Sequence, residues 1–91
     1  MEIEFDPAKN ERNIRERGLP FELAADFDFE TASLYAEQRH GELRTIAVGY
    51  LEARLHVLCY VPTANGIRVI SFRKANDREA RKYGKPKTID G

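Results

Sequence analysis

Three segments rich in β-branched, aromatic and aliphatic residues follow one another closely: Leu43 to Tyr50, Leu55 to Val61 and Ile67 to Phe72. The intervals between them, Leu51 to Arg54 and Pro62 to Gly66, have room for a turn and little else. Strands joined this tightly pair antiparallel. A weaker strand is expected over Thr31 to Glu37, on Leu34 and Tyr35, with Gln38-Arg39-His40-Gly41 as the turn that follows. At the other end, the Ile67–Phe72 strand runs almost directly into a helix. Asn76-Asp77-Arg78-Glu79 has the side-chain cap and third-position Glu of a helix start, and Gly84 supplies the stop.

The first half of the chain is built differently. Glu2 to Phe5 alternates polar and apolar residues, as a short strand does. Asp6-Pro7 opens a helix, with Asp as cap and Pro at the first helical position, where a missing N–H costs nothing. That helix is expected to end at about Arg17, before Gly18, and its apolar face is thin, with Ala8 and Ile14 as anchors. Lys9, Arg12, Arg15 and Arg17 are left to face solvent or a partner. Pro20 starts a second short helix, Phe21 to about Phe27, which offers Phe21, Leu23, Ala24 and Phe27 for burial. Together these elements predict an α+β fold: an N-terminal strand and two helices packed on an antiparallel β-sheet, with a C-terminal helix. At 91 residues the chain has material for a single core, assigned to residues 1–84, with 85–91 as a frayed, flexible tail.

Charge is unevenly spread. The chain is neutral overall, but residues 67–87 hold eight Lys/Arg against two acids, a net of +6, while residues 21–42 hold six acids against one Arg, a net of −5. A concentrated basic end suits a polyanion such as RNA, although a solvated basic helix would carry the same residues. No apolar run approaches the length of a membrane span, and the acidic opening Met1-Glu2-Ile3-Glu4 is unlike a signal peptide. A single cysteine, Cys59, sits inside an apolar strand, which excludes an internal disulfide framework and points to a buried thiol in a reducing cytoplasm. Asp26, Asp28 and Glu30 lack His or Cys at ligand spacing and read as a solvated acidic corner, so no metal or cofactor is expected.

If the polyanion met by the basic end is an RNA that the chain cleaves without a metal, the site requires a group to take the 2′-OH proton, a donor for the leaving 5′-oxygen, and fixed cations on the scissile phosphate. Arginine suits the last task, because its planar fork binds phosphate oxygens and stays charged. Arg44, Arg68 and Arg73 are the candidates, each in competition with a plain salt bridge to Glu42 or Glu79. Strand alternation puts Arg44 on one face with Ile46, Val48 and Tyr50. In a regular last strand Arg68 and Arg73 fall on opposite faces, so the strand is expected to end before Arg73 and the connection to redirect it. Glu42, Lys74, Glu79 and Tyr83 are open as acid or base, with Glu79 already engaged by its capping position. Lys74, Arg81 and Tyr83 are the candidates for binding substrate, Tyr83 by stacking a base or positioning a phosphate. His40 lies in a turn and His56 in a strand, where a structural role fits better.

Arg68-Val69-Ile70-Ser71, Arg73-Lys74-Ala75, Glu79 and Tyr83 resemble the C-terminal signature of the BrnT toxins. The resemblance extends over nearly the whole chain: Ile3-Glu4-Phe5-Asp6, then Lys9, Asn13 and Gly18 in the first helix, Phe21-Glu22-Leu23-Ala24, and Gly41-Glu42-Leu43-Arg44 with Val48-Gly49. Two departures stand out. Glu16-Arg17 precede Gly18 where the family commonly has Lys-His, and Phe72 occupies a position that is commonly small. The resemblance implies a RelE-like fold and a metal-independent ribonuclease of a type II toxin–antitoxin system, which cleaves mRNA in the cytoplasm and arrests growth. It also implies a BrnA-type ribbon-helix-helix antitoxin that masks the site, reaches operator DNA on the toxin's behalf, and can assemble with it as a heterotetramer. The alternative is a non-catalytic nucleic-acid- or partner-binding module that retains the fold.

Overall fold

A computed structural model describes residues 1–89. Its elements are β1 (Glu2–Glu4), α1 (Pro7–Arg17), a 3₁₀ helix (Phe21–Asp26), β2 (Ser33–Arg39), β3 (Glu42–Leu51), β4 (Arg54–Pro62), β5 (Gly66–Lys74) and α2 (Asp77–Tyr83). The strands form one sheet in the order β1-β5-β4-β3-β2. Four of them make the expected antiparallel meander. The fifth corrects the all-antiparallel expectation: β1 pairs parallel to β5, with Glu2 opposite Gly66, so the sheet is mixed. A Cβ at position 66 would land on the Glu2 backbone, and only glycine leaves room for this close approach.

Local chemistry accounts for the helix ends. The Asp6 carboxylate accepts from Ala8 N at 3.3 Å, Pro7 follows, and Gly18 closes α1 in the left-handed region at φ 64°. Asn76 and Glu79 form a complete capping box on α2, and Gly84 at φ 62° ends it. The second helix is of the tighter 3₁₀ type and stops at Asp26. Ala8 and Ile14 do not anchor α1, since both are exposed. Asparagines anchor it instead. Buried Asn13 Nδ2 donates to Leu19 O at 2.8 Å and to Phe72 O at 2.9 Å. Asn10 Oδ1 accepts from Phe21 N at 2.8 Å. The stretch of β5 that β1 does not reach is thereby covered by a helix, as an exposed sheet edge requires.

The sheet buries both faces. On one, Leu19, Phe21, Ala24 and Phe27 pack on Ala47, Leu51, Leu58, Tyr60, Ile67, Val69 and Phe72. Phe72 is fully buried there, edge-on to Phe27 at 6.1 Å, so its bulk fills the core. On the other face, Ala80 and Tyr83 of α2, with Ala75, lie against Ile46, Val48, Tyr50, Leu55, Val57 and Cys59. A single helical layer is therefore not what forms, because α2 crosses to the face opposite α1. Residues 85–89 are not a frayed tail. Leu55 N donates to Lys87 O at 2.8 Å, Ile89 N to Ala53 O at 2.9 Å, and the Tyr50 hydroxyl to Pro86 O at 2.7 Å. The last two residues of the expected tail lie outside the described residues.

Candidate active site

The strand β5 does not end before Arg73. It continues to Lys74, and a bulge decides where its side chains point. Cys59 pairs with Ser71, but the next residue, Tyr60, pairs with Val69, which leaves Ile70 as an extra residue. An extra residue reverses the alternation. Ile67, Val69 and Phe72 thus all enter the α1-side core, while Arg68, Ser71 and Arg73 share the opposite face. That is also the face of Arg44, by register through Ile46 and Cys59. The bulge therefore puts the three candidate arginines on one side of the sheet.

Their partners are carboxylates of the same face. Glu42 is shared: Arg44 Nε donates to Oε1 at 3.2 Å and Arg68 Nη2 to Oε2 at 2.6 Å. The Arg68 and Arg44 guanidiniums hold the Glu42 carboxyl below the usual carboxylate range. Arg73 makes a two-pronged pair with Glu79, Nη1 to Oε1 at 2.9 Å and Nη2 to Oε2 at 2.7 Å. The pair lowers the Glu79 pKa and raises that of Arg73. Arg44 and Arg73 line a hollow of about 320 Å³ whose floor includes Ile46, Val57 and Cys59, and whose rim carries Tyr35, Glu37 and Arg39. Arg68 stands beside it, tied in through Glu42.

Tyr83 reaches this face from α2 and lies parallel to Tyr35, with ring centroids 6.1 Å apart and planes 7° apart. Partial desolvation against the Tyr83 ring, with the Tyr83 phenol beside it, pushes the pKa of the otherwise exposed Tyr35 up to about 12. Burial also pushes the Cys59 thiol up, away from the thiolate form that a nucleophile needs. Two candidates lie elsewhere. Lys74 follows Arg73 and so points to the α1 side, where it lines a depression with Arg17 and Gly18. Arg81 is exposed on α2, two residues from both Glu79 and Tyr83 and hence on the far side of that helix. His40 is exposed at the β2–β3 turn. His56 is buried in the α1-side core beside Phe72, with Nδ1 2.7 Å from Arg54 O, and burial lowers its pKa.

Sequence reasoning missed Tyr35, Arg39 and Ser71. The signal for the first two was available. A two-residue turn at His40-Gly41 sets Glu37 opposite Arg44, and alternation then brings Tyr35 and Arg39 to the same face. Among the described residues no group of three or more His, Cys, Asp and Glu is placed to hold a metal ion.

Comparison with known proteins agrees with this architecture. The crystal structure of the Brucella abortus ribonuclease toxin BrnT superposes with a TM-score of 0.65 at 28% identity, over 85% of this chain and 99% of that one. No curated protein matches the chain. A family model described as ribonuclease toxin, BrnT, of type II toxin-antitoxin system matches residues 5–79. That span includes β2 to β5, the bulge and the pairs of Arg44, Arg68 and Arg73 with Glu42 and Glu79, and on it the chain belongs to the BrnT family of ribonuclease toxins.

Proposed function

We propose that the chain is a RelE-like endoribonuclease that cleaves mRNA in the cytoplasm by 2′-OH attack on the scissile phosphate, without a metal, and so arrests growth. Membership of a type II system brings an RNA substrate and a protein antitoxin. We take that antitoxin to be of the BrnA type, a ribbon-helix-helix protein that covers the arginine face and carries the complex to operator DNA. The observation that supports this reading most is the gathering of Arg44, Arg68 and Arg73 on one face of the sheet, with Arg44 and Arg73 lining a hollow and Arg68 joined to Arg44 through Glu42.

In this mechanism Arg44 and Arg68 receive the scissile phosphate. Their hydrogen bonds to Glu42 are the ones a phosphate would take over, since guanidinium binds phosphate and carboxylate oxygens in the same way. Freed from them, the Glu42 carboxylate regains its ordinary basicity and accepts the 2′-OH proton. The 2′-oxygen bonds to phosphorus, the bond to the 5′-oxygen breaks, and the Tyr35 phenol donates to the leaving oxygen. Arg73, fixed by Glu79, neutralises charge developing on phosphorus, and Tyr83 supports the substrate by stacking. Lys74 and Arg81 are left to contacts outside this hollow.

Induction without the antitoxin tests the reading. Growth arrest and transcript loss are expected, and both should vanish with Arg44→Ala or Arg68→Ala. The competing reading, a binding module without catalysis, draws on the fact that all three arginines already have carboxylate partners. RNA retention with no cleavage of any transcript would favour it.

A further inference from the structure

A second hollow, of about 380 Å³, lies between α1 and β5. Lys9, Arg12 and Arg17 enter it from the helix, and Glu16 stands among them. Its other wall is Ile70 and Ser71, the two residues at the bulge, which also line the arginine hollow. The two depressions therefore meet along the bulged stretch of β5. Their cations differ in state. Arg44, Arg68 and Arg73 are each paired with a carboxylate, whereas among the described residues Lys9, Arg12 and Arg17 have none within 4.0 Å. Unpaired cations in a concavity can take an anion without first giving up a partner.

We infer that the α1–β5 groove is a second phosphate-binding subsite, which holds the RNA backbone flanking the scissile phosphate as the strand passes over Ile70 and Ser71. This rests on the nuclease reading for its orientation. Its chemistry is that of any polyphosphate track: unpaired Lys and Arg release counterions and supply affinity that weakens with salt. The division of labour follows from the pairing. Binding falls to the free cations of α1, while the carboxylate-held arginines act on the one phosphate that displaces Glu42.

The test uses the full chain and a single-stranded 2′-O-methyl RNA, which cannot undergo 2′-OH attack. Lys9→Gln with Arg12→Gln should lower affinity about tenfold. It should also reduce the slope of log affinity against log salt by about 1.4, at roughly 0.7 per lost phosphate contact. Arg15→Gln, an exposed substitution on the same helix outside the groove, should leave the slope unchanged. Cleavage of a dinucleotide, too short to reach the groove, should be the same in the double variant and the wild type. An unchanged affinity and slope in the double variant would overturn the inference. So would an unchanged slope accompanied by lost antitoxin binding, which would assign the groove to the protein partner. A wild-type chain that binds this RNA but cleaves no RNA removes the nuclease reading alone, because the slope comparison still decides the groove.

Discussion

Arg73 on β5 and Glu79 on α2 are joined by two parallel hydrogen bonds, 2.9 and 2.7 Å long, and the same Glu79 Oε1 also accepts from Asn76 N at 3.0 Å. One carboxylate thus closes the capping box, docks the helix on the sheet and fixes a candidate phosphate ligand. Glu79→Ala is expected to lower stability by about 1–2 kcal/mol, the usual range for a lost cap with a partly buried ion pair added. Urea denaturation measures the loss. Cleavage should fall further than stability does, because Arg73 loses its orientation, and a variant with normal activity would show that Arg73 needs no such support.

Arg68 is the cleanest probe of catalysis. Its side chain is 44% exposed, so Arg68→Ala should change stability by less than about 0.5 kcal/mol. Cleavage should drop by about 10²–10³, as for removal of one transition-state donor. A thermal melt and a cleavage assay on the same preparation separate the two effects. A large drop in melting temperature would make Arg68 structural.

Asn13 carries a different expectation. Asn13→Leu removes two hydrogen bonds and leaves Phe72 O without its side-chain donor. The cost should be on the order of 1–3 kcal/mol, since an orphaned buried acceptor loses its full solvation. Equilibrium unfolding of the variant would read it out, and a neutral result would mean that α1 is held by other contacts.

His56 sets a pH dependence. Burial lowers its folded pKa beneath the ordinary value of 6.5, so below that value the unfolded chain binds a proton that the folded chain resists. Stability is then full above the ordinary value and is lost as pH falls toward the depressed one. The slope approaches about 1.4 kcal/mol per pH unit. Urea midpoints between about pH 5 and 8 should show this loss in the wild type and a flatter profile in His56→Leu.

What could be read from residues alone was mostly local. Asp6-Pro7 with Gly18, and Asn76 with Glu79 and Gly84, mark the ends of both α-helices because caps act within a few residues. The antiparallel run from β2 to β5 was legible for the same reason, through short turns. Properties that depend on a distant partner were not. The bulge at Ile70 exists only in the pairing of β5 with β4, so strict alternation put Arg68 and Arg73 on opposite faces. A three-residue strand such as Glu2–Glu4 does not disclose its direction. Gly66, too confined for any side chain, was the available hint that another backbone comes close. Ile14 reads as the apolar anchor while polar Asn10 and Asn13 do the anchoring, since hydropathy does not register side chains that bond to remote backbone groups.

The parallel pairing of β1 with β5 bears on the order of events during synthesis. The first strand leaves the ribosome with no neighbour, because the segment it joins, beginning at Gly66, is made last among the strands. Contacts so far apart in sequence form late. A nascent chain stopped short of that point also lacks Arg68 and Arg73, so on the proposed mechanism an interrupted translation product would lack two of its three phosphate ligands.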